Sequence, residues 1–511
     1  MTKEEIITRI KERETNRPLV LAAVILAMFM AAIEGTIVST AMPSIVADLG
    51  GFKLYSWVFS AYLLMQAVTI LIYGKLSDLF GRKPVFTFGI SMFMIGSFLC
   101  GTAESMQMLI VFRLLQGLGA GAVMPIATTI VGDMYTMEER AKIQGYLASV
   151  WGISAVIGPA LGGFIVLYWD WSWVFWLNLP LGILAIAGTH LFLHEDIEKK
   201  KHEIDYIGAL LIFVAVSSLM VALIQGGVAL QWDSWQIIFL LSLCGISFIL
   251  FIWQERRAAE PTMPLHIWKD RLITLANLAS LTTGAILFGI SSFLPAYVQG
   301  VMEESPLVAG FTLTTMSIGW PIASTLAGRL IIKLGFRTVA LGGGVALILG
   351  SLFFVMLDPS KGPIWAAVGS FVIGVGMGLS TTTFIVSIQS SVDWKTRGVA
   401  TASNMFMRIL GSAIGATLLG GILNNKLHSY LQKHGQGVDE SLSIDAANIL
   451  LDETQREQLD SETLSVLQDG LTYSLESVYF GVCILAVVSF LLIAFLPKKE
   501  EKGDQDSEKQ I

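Results

Sequence analysis

Charge is scarce in this chain. Of its 511 residues only 14% are Asp, Glu, Lys or Arg, while 54% are hydrophobic. Soluble domains carry about 25% charged residues, so an ordinary soluble globular protein is excluded. Cysteine is scarcer still. Cys100, Cys244 and Cys483 all fall inside apolar runs and give neither a disulfide framework nor metal-site spacing. The six histidines are scattered without ligand spacing, and there is no nucleophile elbow or phosphate-binding loop. No soluble domain stands ready to receive a signal. An enzyme or a sensor is therefore disfavoured, and no metal, cofactor or nucleic-acid partner is expected.

Apolar length and glycine are what the chain has in abundance. Runs of about 20 residues recur from end to end, each long enough to cross roughly 30 Å of hydrocarbon. The 49 glycines fit this, because Gly is commoner in membrane helices than in soluble ones. The expected fold is an all-α polytopic membrane protein with fourteen spans, near 19–43, 56–75, 84–103, 107–131, 141–167, 173–193, 205–226, 234–254, 272–298, 307–328, 338–357, 363–389, 398–424 and 474–496. A basic stretch (Lys3, Arg9, Lys11, Arg13, Arg17) precedes the first run. That run is too long for a signal peptide and no cleavage site follows it, so it reads as an uncleaved span.

The basic residues orient these spans. With the N-terminus inside, the inner segments and tails collect 26 Lys and Arg, among them Lys75, Arg82, Lys83, Arg140 and Arg397. The outer loops collect five: Lys53, Lys361, Lys426, Lys433 and Arg456. That asymmetry places both termini in the cytoplasm. Only Arg113 and Arg408 remain within spans.

An internal repeat divides the chain. Arg140 and Gly158-Pro159-Ala160-Leu161-Gly162-Gly163 are echoed by Arg397 and Gly415-Ala416-Thr417-Leu418-Leu419-Gly420, at an offset of 257. Gly74-Lys75-Leu76 with Gly81-Arg82 is echoed by Gly328-Arg329-Leu330 with Gly335-Phe336-Arg337, at an offset of 254. The expected layout is a six-helix half over 1–193, a linker with two extra spans over 194–271, and a second half over 272–511 with an external loop at 425–473. Within that loop, Ile444, Ile449, Leu450, Leu459, Leu464 and Leu467 have helix-compatible spacing for a short amphipathic cap. Two parallel six-helix halves are a transporter architecture, with substrate expected between them near the midplane.

Against that background Glu34 stands out as a carboxylate in the middle of the first apolar run. A charge at the centre of a membrane helix costs roughly 2.5–3.5 kcal/mol on insertion scales, and such residues face other helices or a water-filled path. Glu34 lies about 13 Å below the outer end of span 1, and Arg113 about 9 Å below the same face in span 4. The two share a depth and meet if those helices face each other. Burial favours the neutral acid and a neighbouring guanidinium favours the carboxylate, and an acid balanced between them can exchange a proton. A static contact that fixes helix packing is the other reading. Arg408, near the midplane of span 13, does not deprotonate. It is open to balancing a carboxylate, anchoring an anionic or polar substrate group, or bonding backbone carbonyls.

Five motifs in order give the whole chain a resemblance to the major facilitator superfamily, specifically its fourteen-helix drug:proton antiporter branch. They are Gly74-Lys75-Leu76-Ser77-Asp78-Leu79-Phe80-Gly81-Arg82-Lys83 between spans 2 and 3, and Glu34-Gly35-Thr36-Ile37-Val38-Ser39-Thr40-Ala41-Met42-Pro43 in span 1. Span 4 has Arg113-Leu114-Leu115-Gln116-Gly117-Leu118-Gly119, and span 5 runs from Gly152 through Gly158-Pro159 to Gly162-Gly163. Trp171-Ser172-Trp173-Val174-Phe175 and Asn178-Leu179-Pro180 lead into span 6. Two positions depart from the pattern: Glu34 replaces the usual Asp, and Ile332 stands where Asp78 aligns in the second half.

The resemblance implies proton-driven efflux of lipophilic, drug-like compounds through a plasma membrane (in bacteria, the inner or cytoplasmic membrane) by alternating-access antiport. Glu34 and Arg113 are then the proton-coupling pair. Asp78, Gly81 and Arg82 form a cytoplasmic gate whose ion pairs make and break, and the turn at Gly81 calls for φ > 0 or close approach. The small residues of span 5 are expected on one helix face, where they allow close packing, and Pro159 to bend it. Gly158 and Pro159 favour antiport over an importing symporter. A drug cavity is mostly apolar and aromatic, and Phe29, Tyr62, Gln66, Trp151, Phe288, Phe384, Gln389, Asn404 and Arg408 are its expected lining. With Glu34 the one acid deep in a span, the expected partners are protons, the lipid bilayer, and neutral or monocationic lipophilic substrates rather than dications. Export of one specific antibiotic, metabolite or lipid is the alternative.

Overall fold

A computed structural model describes residues 15–50, 54–195, 205–226, 230–258, 261–434 and 461–497. Among these residues the chain is helical, with one isolated bridge between Gly226 and Leu230. We number the helices α1 (Arg17–Leu49), α2 (Tyr55–Phe80), α3 (Arg82–Cys100), α4 (Met106–Met134), α5 (Met137–Tyr168), α6 (Ser172–Trp176), α7 (Asn178–Phe192), α8 (Tyr206–Gln225) and α9 (Trp235–Glu255). They continue as α10 (Arg271–Gly300), α11 (Pro306–Leu334), α12 (Phe336–Val355), α13 (Gly362–Ser391), α14 (Trp394–His434) and α15 (Ser461–Ala494).

With α6 and α7 taken as one span, these make fourteen. Among the described residues thirteen spans are long and apolar enough to cross a membrane. The fourteenth, α11, has the length at 29 residues but carries many hydroxyls. Those of Thr312, Thr314, Thr315 and Thr325 donate to carbonyls one turn back on their own helix, which removes their need for water. The sixth span is expected as one helix but breaks at Leu177. Pro180 is the cause, because it has no N–H to give the carbonyl of Trp176.

The chain at 425–473 is not a plain loop. Helix α14 runs 41 residues, about 60 Å, which exceeds the hydrocarbon thickness and carries Lys426 and Lys433 on a helix. Helix α15 starts at Ser461 and returns beside it, with Leu427 and Leu431 packed in one cluster with Leu467 and Leu471. The four-residue spacing on both helices explains the pairing. Residues 443–460 of the expected amphipathic cap lie outside the described residues, as does the basic stretch from Lys3 to Arg13.

Apolar cores hold each set of six spans. One cluster gathers Val24, Ile70, Phe86, Phe93, Val123 and their neighbours, and another gathers Ile290, Leu347, Ile373, Leu419 and Val482. The sets meet along two seams, α2 against α14 and α5 against α11. The repeat relates them, since α2 matches α11 and α5 matches α14. Both seams rely on missing side chains. A Cβ at Gly398 on α14 would stand 2.6 Å from Asp78 Oδ1 and from the Gly74 carbonyl oxygen, and one at Gly152 on α5 would stand 2.8 Å from the carbonyl oxygen of Ser317. Helix α8 lies against α2 and α14, where Leu223 accepts a hydrogen bond from Thr417 Oγ1 at 3.0 Å, and α9 packs on α8.

Candidate functional site

Glu34 lies on α1 with no exposed surface, and Arg113 on α4 is 1% exposed. Arg113 Nη1 donates to Glu34 Oε1 at 2.5 Å. Helix α7 supplies the second partner, Asn178, whose Nδ2 donates to Glu34 Oε2 at 2.7 Å. Asn178 is the first residue of α7. Arg113 Nη1 also donates to Gln116 Oε1 at 2.7 Å, and Gln116 Nε2 donates to Ser97 Oγ at 2.7 Å. Asn178 Nδ2 reaches the same Ser97 Oγ at 3.3 Å. Glu34, Arg113, Gln116, Ser97 and Asn178 thus close a ring of side chains drawn from α1, α3, α4 and α7.

The guanidinium is held on its remaining sides. Arg113 Nε donates to the Val58 carbonyl at 3.0 Å, and the Tyr62 ring lies 4.4 Å from the guanidinium carbon. Each charge therefore meets an opposite charge, hydrogen bonds or an aromatic face, as a buried pair requires. Tyr62, an expected cavity residue, is buried as part of this shell. Sequence reasoning gave no role to Gln116, Ser97 or Asn178. The signal that could have found them is the clustering of amides and hydroxyls at the depth of Glu34 in neighbouring spans.

A second polar cluster sits where α2, α3, α4 and α14 meet, here called the lock end. Arg82 is bonded to Asp78 through Nη1, to Asp133 Oδ2 through Nε at 2.9 Å, and to the Trp394 carbonyl through Nη2 at 2.8 Å. Its guanidinium carbon lies 4.5 Å from the centre of the Trp394 ring. Asp133 Oδ1 accepts Arg397 Nη1 at 2.5 Å, and Arg397 Nε donates to the Gln389 carbonyl at 3.2 Å. Asp78 accepts the N–H groups of Gly398 and Val399, both at 2.9 Å. Asp78, Arg82 and Asp133 thus tie α2, α3 and α4 to α14 across one seam. Gly81 provides the turn, with φ of 90°, a conformation that favours glycine. The other seam has no such cluster among the described residues, because Ile332 replaces the acid, and Arg140 turns instead to the Tyr135 carbonyl at 2.8 Å.

The remaining expected residues fall in different places. Asn404 is buried, and its Nδ2 is spent on Ser280 Oγ at 2.8 Å and Asn277 Oδ1 at 3.1 Å, which joins α14 to α10. Gln389 is buried and donates to the Thr128 carbonyl at 3.2 Å, bridging α13 to α4 near the lock end, and Phe384 is core. Phe29, Gln66 and Phe288 are half-buried, and Trp151 is 49% exposed beside Gly152. Arg408 is half-buried, with no ion pair or side-chain hydrogen bond among the described residues.

The glycines of α5 do not serve one partner, as expected from their spacing. Gly152 faces α11, Gly158 and Gly162 face Thr36 and Ile37 of α1, and Gly163 meets nothing within 4 Å. The reason is length: α5 spans 32 residues and changes neighbours along them. Pro159 lies within this helix without ending it.

Two sets of six membrane spans joined along two seams, the first of them holding a buried ion pair, have the architecture of a polytopic membrane transporter. Residues 24–416 match the family model for the Major Facilitator Superfamily, and the chain belongs to that family. The chain is 35% identical to the multidrug transporter protein MdtP of Bacillus subtilis, over 98% of this chain and 97% of that one. It is 34% identical to multidrug resistance protein 3 of the same organism, over 98% of each. The human organic anion transporter MFSD10 (TETRAN) shares the fold, with a TM-score of 0.63 over 94% of this chain and all of that one, at 14% identity. The chain is therefore a multi-span transporter of the plasma membrane, in a transporter family rather than an enzyme family.

Proposed function

We propose that this protein exports lipophilic, drug-like compounds in exchange for protons, with Glu34 as the group that carries the proton. One observation carries the reading: the Glu34 carboxylate is fully buried, yet both of its oxygens are bonded, by Arg113 and Asn178. An acid so placed has a mate for its charge, and an amide that can turn its oxygen toward a protonated carboxyl. It can therefore exist in both states without a new opening in the fold. The similarity to two Bacillus multidrug proteins supports the direction and breadth of transport.

With both termini in the cytoplasm, the lock end faces inward. The two seams are then where the two halves rock, and the Asp78–Arg82–Asp133–Arg397 cluster holds the inner side shut while Glu34 takes its proton from outside. Opening that cluster exposes the site inward, and substrate enters as the proton leaves. The membrane potential adds about 2.3 kcal/mol per charge per 100 mV. Glu34 and Arg113 cancel, which leaves Arg408 as the unpaired charge deep in the described spans. That residual positive charge disfavours dications and leaves neutral or singly charged lipophilic compounds.

Dye export from proteoliposomes, with and without a pH gradient, tests this. Wild type is expected to export several unrelated dyes in step with the gradient, and Glu34→Gln to lose that dependence. Gradient-driven export by Glu34→Gln at the wild-type rate would refute the carrier role. A single exported dye class would favour a dedicated exporter of one antibiotic, metabolite or lipid.

A further inference from the structure

The repeat places Trp151 of α5 and Arg408 of α14 at equivalent positions. They stand at the same offset of 257 that relates Gly158 to Gly415. The packing around them follows that symmetry. Gly158 faces Thr36 of α1 and Gly415 faces Ala285 of α10, each the first helix of its set. Gly145 of α5 faces Thr325 of α11 across one seam, and its equivalent on α14, Ala402, lies against Gly74 of α2 across the other. Trp151 and Arg408 each lie two turns, or about 10 Å, to the lock-end side of Gly158 and Gly415.

Neither side chain is aimed at the surrounding lipid. Ile153 and Phe164 mark the exposed apolar face of α5, and Trp151 is turned about 140–160° from them at 3.6 residues per turn. Thr417 marks the outer face of α14, where it bonds to α8, and Arg408 is turned about 180° from it. Yet Trp151 is 49% exposed and Arg408 only half-buried. Their accessible surface therefore opens on the space between the two sets of spans, where such an architecture holds its substrate. Guanidinium does not deprotonate in a protein, and a charge within a span normally pairs with another group. The Arg408 side chain makes no ion pair or hydrogen bond among the described residues. Glu34 cannot serve it, having no exposed surface and both oxygens already bonded.

We propose that the space between the two sets binds aromatic monocarboxylates, with the carboxylate on Arg408 and the ring against Trp151. This rests on the reading of the protein as an exporter and names a substrate class for it. A guanidinium fork matches the two oxygens of a carboxylate, and an indole offers a broad apolar face to a ring. One unpaired cation calls for one anionic group, and a ligand held at both residues bridges the two sets. The driving forces agree with the sign. A cytoplasm-negative potential pushes an anion outward and draws the exchanged proton inward, so both halves of the exchange run with the field. A cationic substrate would move against that field and be repelled by Arg408.

The test is equilibrium binding of pyrenebutyrate and of its neutral primary amide to the full chain in phosphatidylcholine nanodiscs, with empty nanodiscs correcting for partition into lipid. Wild type is expected to bind the carboxylate at least tenfold more tightly than the amide. Arg408→Met is expected to lower the carboxylate's affinity to that of the amide, with cooperative thermal unfolding as the sign that it folds. Arg408→Gln serves in its place if it does not. Trp151→Ala is expected to weaken both probes by a similar factor and leave their ratio unchanged. Equal affinities in wild type, no saturable binding of either probe, or a preference that survives loss of the guanidinium overturns the carboxylate site. Unchanged affinities in Trp151→Ala overturn the assignment of the ring. No pH gradient enters this measurement, so a missing preference leaves proton exchange standing, and gradient-independent dye export leaves the preference standing.

Discussion

Asn178 donates to Glu34 from the side opposite the guanidinium, at 2.7 Å, on the carboxylate oxygen that Arg113 leaves free. The pair joins helices 144 residues apart in sequence, so it couples the state of the acid to the position of α7. Removing Asn178 leaves a buried acceptor short of its donor, which costs about 1–3 kcal/mol. Asn178→Ala is therefore expected to lower the thermal stability of the reconstituted protein. In a Glu34→Gln background the same change is expected to cost less, because the charged acceptor is gone. The double-mutant cycle measures the difference. Equal losses in both backgrounds would show that Asn178 acts on packing alone.

At the lock end one carboxylate serves two arginines. Asp133→Asn removes the charge shared by Arg82 and Arg397, and breaking one partner of a buried pair costs about 3–5 kcal/mol. Part of that loss is relieved by opening the seam. Spin labels at the exposed positions Phe80 and Lys395 are expected to show a longer distance population in the variant than in wild type. An unchanged distance distribution would mean that the cluster does not hold α2 to α14.

Gly398 offers the same opening without touching a charge. A Cβ there would press within 2.7 Å of Asp78, Gly74 and Ser77, so Gly398→Ala is expected to part α14 from α2. The same label pair should lengthen, and transport should fall by an order of magnitude or more. Gly163→Ala is the control. Its Cβ would meet nothing within 4 Å, and it should behave as wild type.

Arg408 makes no ion pair among the described residues. An arginine at the centre of a span costs roughly 2.5–3.5 kcal/mol on insertion scales, so Arg408→Met is expected to leave stability unchanged or raise it. Its effect should fall on substrate choice. Export of neutral dyes is expected to persist and export of carboxylate-bearing dyes to weaken, measured in the same vesicles. Strong destabilisation instead would assign Arg408 a packing role.

The number and nature of the spans were legible because the bilayer sets one length and one polarity. The Glu34–Arg113 contact was legible for a related reason: charges are rare there, and helix rise places each at a computable depth. Asn178 was harder. It lies five residues into the expected sixth span, and a neutral amide there has no charge to single it out. Asp133 and Arg397 are 264 residues apart, and Arg397 reads as one more positive charge in an inner loop. Pairing of that kind depends on how two separately folded bundles meet, which no local pattern carries. The bonds of Asn404 to Ser280 and Asn277 on α10 were not legible either, since a polar amide in a span looks the same whether it faces a cavity or a neighbouring helix.

The two seams do not meet the lipid on equal terms. Helix α8 lies along α2 and α14 and bonds to α14 at Thr417, so one seam is flanked by protein on its outer side. At the other, Ile153 and Ile157 of α5 and Ile318 and Ile322 of α11 present exposed apolar side chains. A compound dissolved in the bilayer would thus meet apolar side chains at the α5–α11 seam and helix α8 at its counterpart. The inserted helices make a near-symmetric machine one-sided with respect to the membrane around it.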